Sequence, residues 1–207
     1  MNKRKAISNH GDATFAKFTS TFINSSFNYK SIMSTDMYNI LNDISQAKSA
    51  PFGALFLSMI TTTNYIAASA KTLLQMSAQS GRWTMNLNTY SMFIGPPCCG
   101  KTPTIKAAVT EPIKTLSNEL FETIKGRLTM AALADALANK EHGHNVYMVN
   151  SEAAETLSRH LESSSKKSNG DIALLNQVYS GEDVVNAYTT RNDQHIPDNA
   201  SLCILGM

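Results

Sequence analysis

The stretch GPPCCGKT places Gly95, Gly100, Lys101 and Thr102 at the spacing G-x-x-x-x-G-K-[ST], which suits the binding of a polyphosphate. Such a group carries several negative charges and must be held without crowding. Backbone N–H groups around a tight bend converge on it where glycines permit the necessary dihedrals. A helix starting directly after the bend turns the positive end of its dipole toward the same anion. In this reading Gly95, Pro96, Pro97, Cys98, Cys99, Gly100, Lys101 and Thr102 form the binding loop. Lys101 bridges the outer phosphates of ATP, and Thr102 offers its hydroxyl to Mg2+. Pro96 and Pro97 lack N–H groups, but at the start of the loop they stiffen the bend without removing the donors nearest the phosphates. The plain alternative is a Gly-Pro turn followed by a surface lysine.

Hydrolysis needs a second acid. ATPases of this kind place one at the end of a neighbouring strand, where it orients the metal and the attacking water. In VYMVNSEAAETL the apolar run Val146 to Val149 is followed by Asn150, Ser151 and Glu152. Glu152 is the candidate base, and Lys101 the candidate cation at the transferred phosphate. The alternative for Glu152 is a first-turn acid favoured by the helix dipole. Ser151 stands where an aspartate is expected. Its hydroxyl accepts a hydrogen bond from a metal-bound water but supplies no negative charge, so metal binding should be weaker.

Other chemistry-bearing residues read more simply. Cys98 and Cys99 are small fillers of the loop, with a redox switch as the alternative. His142 and His144 have no companion ligands at metal-site spacing. Lys166 and Lys167 lie in the Ser-rich stretch SSSKKSNGD, read as a solvated loop, with nucleic-acid backbone contact as the alternative. Tyr147, Trp83 and the methionines are read as core.

The elements that must position this loop follow from apolar spacing. NTYSMFI is β-prone and runs straight into Gly95, while Ile105, Ala108, Val109, Ile113, Leu116, Leu120 and Ile124 keep helical spacing after Pro103. Pro112 should kink or break that helix. Upstream, Ser49 reads as the N-cap and Pro51 as the first turn of a buried helix beginning at FGALFL. Before it, Met37, Ile40, Leu41 and Ile44 share one helical face, and Phe15, Phe18 and Phe22 suggest a looser helix. KTLLQMSAQSGRWTM reads as two strands about a turn at Ser80-Gly81. LTMAALADALANK is a helix capped by Thr129, NVYMV a buried strand, EAAETLSRHL and IALLNQVY helices, VVNAYTT a strand, and SLCIL a final buried strand. Alternating strands and helices imply an α/β fold with a mainly parallel sheet covered on both faces. Residues 1–46 read as a helical or partly disordered extension, and 47–207 as the core.

Composition narrows the class. Of 207 residues, 43% are hydrophobic and 16% charged, and the formal net charge is +2. That is enough apolar material for one domain, and too little charge to argue nucleic-acid binding from bulk electrostatics. Three cysteines make no disulfide framework, so a reducing compartment is expected. MNKRK is followed by no apolar run, and FGALFLSMI is too short to span a bilayer. The expectation is an intracellular protein, cytoplasmic or nuclear, neither secreted nor membrane-spanning.

With these residues in hand, positions 48 to 207 resemble an uncharacterised P-loop family of primase–helicase-like ATPases from phages, plasmids and other mobile elements. The resemblance rests on APFGALFL, on GPPCCGKTP with a proline directly after Lys-Thr, and on Pro112. It continues through LTMAALADAL, MVNSEAAETL, LLNQVYSGE and SLCILG in the same order. It implies a RecA/ASCE-like core acting with single-stranded or duplex DNA, as part of a longer chain or a homo-oligomer. Gly95, Gly100, Lys101 and Thr102 match its nucleotide positions, Glu152 matches the second half of its Asp-Glu pair, and Arg191 falls where a basic residue is common. Ser151 departs from the pattern. The stop at Met207, just after the strand that should lead to a polar sensor, implies a core truncated at its C-terminus. Two other readings compete: a non-hydrolysing nucleotide-binding remnant or scaffold, and a small-molecule kinase, for which no acceptor site or lid is visible.

Overall fold

Alternation of side chains along the strands decides how this chain layers. The computed structural model describes residues 27–78, 81–96, 98–151, 166–185 and 194–207. The aromatic helix at Phe15, Phe18 and Phe22, the helix EAAETLSRHL with Glu152, and Pro97 and Arg191 fall outside the described residues. The chain divides into Met1–Ile40 and Leu41–Met207. In the first, a 3-10 turn (Tyr29–Ser31) leads toward α1 (Thr35–Lys48), and the Lys30 ammonium lies 4.8 Å from the centre of the Tyr38 ring. Met37 and Ile40 are exposed, unlike Leu41 further along the same helix.

The second unit holds α2 (Phe52–Ser69), a hairpin of β1 (Leu74–Ala78) and β2 (Gly81–Met85), and β3 (Thr89–Met92). A helical stretch follows without a break: α3 (Lys101–Ile105), a π-helical turn (Lys106–Thr110) and α4 (Glu111–Leu116). After α5 (Asn118–Glu122) come β4 (Ile124–Lys125), α6 (Met130–Ala138) and β5 (Asn145–Asn150). The remaining elements are α7 (Lys166–Ser180), β6 (Val184–Val185), β7 (His195–Ile196) and β8 (Ser201–Gly206).

The central sheet has four strands in the order β3-β8-β5-β4, all pairs parallel. Parallel pairing demands cover on both faces, and the period-2 alternation supplies it. Val146, Leu202, Ile204 and Tyr90 face one way, into a cluster with Met130, Leu133, Leu137, Leu174 and Val178 of α6 and α7. Tyr147, Ser91 and Thr89 face the other way, toward α2. There Thr62 Oγ1 lies 3.0 Å from Tyr147 Oη, Thr61 donates to Ser91 Oγ at 2.8 Å, and Asn64 donates to Thr89 Oγ1 at 2.7 Å. Tyr65 is hydrogen-bonded to Thr123 just before β4. The π-helical turn packs against α2, and its Ala107, Ala108 and Val109 are buried.

The connections explain this placement. From β3 the chain crosses to β4 at the far edge, then returns through β5 to β8. Right-handed crossovers running in opposite directions put their helices on opposite faces. The loop after β3 thus leaves the sheet at the strands' carboxyl ends, the edge outside which ligands of open α/β sheets bind.

Several expectations are corrected. Ser49 is not a cap: α2 starts at Phe52 with Pro51 in the N-cap place and no side-chain cap bond, and Ser49 has φ +52°. The helix after the loop ends at Leu116, with Ser117 extended and capping α5 through Leu120 N, and Ile124 belongs to a strand. Pro112 has no N–H for the Ala108 carbonyl, and its ring would crowd that group. The chain widens just before it, where Glu111 N–H reaches back five residues to the Lys106 carbonyl. SSSKKSNGD is not all loop, because α7 begins at Lys166. Val184–Val185 is a strand, but it pairs antiparallel with β7 rather than joining the main sheet. The methionines are divided: Met130 and Met207 are buried, while Met37 and Met92 are exposed. Thr129 does cap α6, accepting from Ala132 N at 3.2 Å.

Burial of weak acids gives the fold a pH limit. Desolvation pushes the Cys203 thiol from 9.0 up to about 12. It also raises the phenols of Tyr65, Tyr90 and Tyr147 above their usual 10.0. Folded-state values above the unfolded ones mean the unfolded chain sheds these protons first. Their contribution is therefore complete below pH 9.0, the ordinary thiol value, and is lost as pH rises through the folded values. The expected result is a urea midpoint that holds steady to about pH 8.5 and falls progressively above about pH 9–10. A midpoint still level at about pH 11 would contradict it.

Candidate phosphate-binding loop

Three strands finish level at the carboxyl edge of the sheet. Met92 pairs with Gly206, and Gly206 with Asn150. The pairing extends one step further: Phe93 N–H donates to the Gly206 carbonyl, and Met207 N–H to the Asn150 carbonyl, both at 2.9 Å. The loop from Phe93 and the turn at Ser151 therefore leave the sheet from the same height. Ser151 is exposed there. Its strand is not the neighbour of the loop strand, as expected from the sequence, because β8 lies between them. Two strand spacings put them roughly 10 Å apart.

Steric contacts fix the bend at both glycines. A Cβ on Gly95 would lie 2.6 Å from Cys99 Sγ and 3.0 Å from the Phe93 ring. Cys99 N–H donates to the Pro96 carbonyl at 3.3 Å, closing a turn over Pro96 to Cys99. Gly100 has φ +82° and begins the helix, and a Cβ there would meet the Ser49 carbonyl oxygen at 2.6 Å and Pro51 Cδ at 2.9 Å. Cys98 also has a positive φ, +62°, although it is not a glycine. Alternation of left-handed and ordinary residues is the geometry that turns successive amides toward one point.

Past the bend, Lys101 and Thr102 occupy the first turn of α3, Lys101 half-buried and Thr102 exposed. Lys101 has no ion-pair partner among the described residues. Pro103 costs no helical bond, since the first-turn amides lack intrahelical acceptors. Thr104 closes the turn, its N–H and hydroxyl both donating to the Gly100 carbonyl, at 3.1 and 2.7 Å. Gly95, Pro96, Cys98, Cys99, Gly100, Lys101 and Thr102 thus come together in one loop. At both glycines the place of a side chain is already taken by other atoms of the chain, so the bend stays tight, and Lys101, with no ion-pair partner among the described residues, follows directly. These features fit a polyphosphate. Magnesium would fall to Thr102 and Ser151, on opposite sides of β8; Glu152, the expected base, lies outside the described residues.

The remaining candidates do not join this loop. His144 Nδ1 lies 2.8 Å from the Leu137 carbonyl. No group of three or more His, Cys, Asp or Glu able to hold a metal occurs among the described residues. Tyr147 is buried in the core, as expected. The sequence reading missed Ser49–Pro51 as neighbours of Gly100. The contact spans half a hundred positions, and its only local sign was the proline. No helix among the described residues is long and apolar enough to cross a membrane.

The positive φ at Cys98 makes a direct test. A left-handed conformation costs a non-glycine residue about 1–2 kcal/mol, against about 0.5–1 kcal/mol for the greater freedom glycine loses. Cys98→Gly is expected to raise stability by about 0.5–1 kcal/mol in urea unfolding. Gly100→Ala should lower it, through both φ and the clash at Ser49. Compared with family models, with curated proteins and with solved structures, the chain matches none.

Proposed function

We propose that the unit Leu41–Met207 is an ATP-binding P-loop module of the RecA-like type, which takes Mg2+ with the nucleotide. The observation that carries this reading is the bend itself. Positive φ at Cys98 and Gly100 turns the chain between the end of β3 and the start of a helix. That bend stands at the carboxyl edge of the sheet, where the loop amides, the helix end and Lys101 favour an anion together.

The roles follow from charge and reach. The loop amides would hold the inner phosphates, the Lys101 ammonium would neutralise the outer ones, and the Thr102 hydroxyl would be a metal ligand. When bound, the metal supplies positive charge that offsets the build-up on the transferred phosphate. Glu152, one residue past Ser151, would position the attacking water. On the family resemblance, turnover serves DNA unwinding or translocation by a primase–helicase-like protein, in a longer chain or a homo-oligomer.

Ser151 favours a second reading: a module that binds nucleotide without turning it over, as a remnant or scaffold. A hydroxyl at the end of β5 leaves the metal without the carboxylate charge that would hold it most firmly.

Titration with MgATP tests the first reading. Wild type should bind, and Lys101→Ala should lose at least about tenfold in affinity, roughly 1.4 kcal/mol, with an unchanged circular dichroism spectrum. Absence of MgATP binding by the wild-type chain would remove the reading altogether. Turnover with and without single-stranded DNA separates motor from remnant. Ser151→Asp should strengthen Mg2+ dependence and raise turnover if the remaining apparatus is complete; no turnover in either form favours the remnant.

A further inference from the structure

We propose that the connection Ser49-Ala50-Pro51 is the positioning element of the phosphate-binding loop, holding Gly100 in its left-handed conformation by direct backbone contact. This inference rests on the nucleotide reading of the loop. It assigns Ser49 and Pro51, which contribute no group to a ligand, a share in affinity through Gly100.

The contact is close. The Ser49 carbonyl oxygen and Pro51 Cδ lie 2.6 and 2.9 Å from where a Gly100 Cβ would stand, and the Ala50 Cα lies 3.6 Å from it. Gly100 is the pivot of the loop, because its φ fixes where its own N–H and that of Lys101 point. Ser49 and Pro51 fill the Cβ side of Gly100 and leave the N–H groups to face the other.

The connection is itself anchored. Ala50 is buried at 3% exposure. Its N–H donates to the Ser45 carbonyl at 3.0 Å, and its carbonyl accepts from Ser45 Oγ at 2.6 Å. Ser49 N–H donates to the Gln46 carbonyl at 3.3 Å, closing the end of α1. Pro51 fixes its own φ, −58°, as α2 begins. Between these anchors Ser49 takes φ +52°, a conformation that directs its carbonyl onto Gly100. Positive φ at an exposed serine is the local cost of that direction. Lys48, the last residue of α1, reaches Glu111 of α4 at 3.5 Å. Both groups are nearly half exposed, so this link adds little energy; the backbone contact carries the proposal.

Two substitutions separate positioning from bulk stability. Glycine adopts positive φ freely, whereas a β-branched residue resists it. Ser49→Gly should keep the carbonyl in place, while Ser49→Val should move it. The first readout is MgATP affinity: at least tenfold weaker in Ser49→Val and within twofold of wild type in Ser49→Gly. The second needs no nucleotide. Cys99, half-buried against Gly95, and Cys203, fully buried, report the loop and the core through their rates of alkylation by iodoacetamide. Ser49→Val should speed modification of Cys99 at least threefold and leave Cys203 as slow as in wild type. Ser49→Gly should change neither.

Combining Ser49→Val with Gly100→Ala should weaken affinity by less than the product of the separate effects, since both act at one contact. Equal affinities and equal Cys99 rates in Ser49→Val and Ser49→Gly would overturn the proposal. So would faster modification of Cys203 in Ser49→Val, which would show a general loosening. If wild type binds no MgATP, the nucleotide reading fails, and the Cys99 rates alone decide whether Ser49 sets the loop.

Discussion

The arrangement depends on how α2 grips the sheet. Along one face of this helix, Thr61, Thr62, Asn64 and Tyr65 bond in turn to Ser91, Tyr147, Thr89 and Thr123. These partners sit on β3, on β5 and just ahead of β4, so one helix ties β3 to strands on the far side of β8. A hydrocarbon face would pack as densely but tolerate sliding. Directional bonds between buried and half-buried polar side chains do not, since a displaced partner that stays desolvated and unpaired costs about 1–3 kcal/mol. That helix starts at Phe52, directly after Pro51, whose ring lies beside Gly100. Strand ends, helix and bend are therefore set against one frame.

That frame gives the loop its aspect. The helix begun by Lys101 and the helix begun by Phe52 lie on the same side of the sheet, while α6 and α7 cover the other with an ordinary apolar cluster. The two faces differ in chemistry because they differ in task. The cluster around Leu133, Leu137, Val146 and Leu202 supplies burial. The polar face supplies registration, and its phenols and thiol stay neutral because burial leaves no solvent for their charged forms.

Much of this was legible from residue order. NVYMV and SLCIL announced strands buried on both sides, and both lie at the centre of the sheet with β-branched or aliphatic residues facing each way. The glycine spacing in GPPCCGKT announced a bend before a helix, and the bend is there. Thr129 announced its cap. What failed depended on partners distant in sequence. Ser49 beside Pro51 has the local form of a capped helix start, but the approach of Gly100 claims the backbone for another geometry. Ile124 continues a helical pattern until β5 offers it a strand partner at Tyr147. Lys166 to Asp171 are polar enough for a loop, yet they propagate from the apolar stripe of Leu174 and Val178 behind them. The strand between β3 and β5 could not be placed at all, since β8 arrives last in the chain and enters the middle.

The widened turn at Lys106–Thr110 has an effect on charge placement beyond accommodating Pro112. In a regular helix, residues five apart are separated by about 140° around the axis, so their side chains point to different sides. Where five residues close about one turn, they stand nearly one above the other. Lys106 and Glu111 bracket such a turn, and their charged groups lie 4.0 Å apart, with Lys48 on the same carboxylate at 3.5 Å. A single acid thereby faces Lys48 of α1 and also Lys106, which ordinary helical spacing would have turned away from it. The helix behind the loop carries its own counter-charge there, while Lys101 has no ion-pair partner among the described residues.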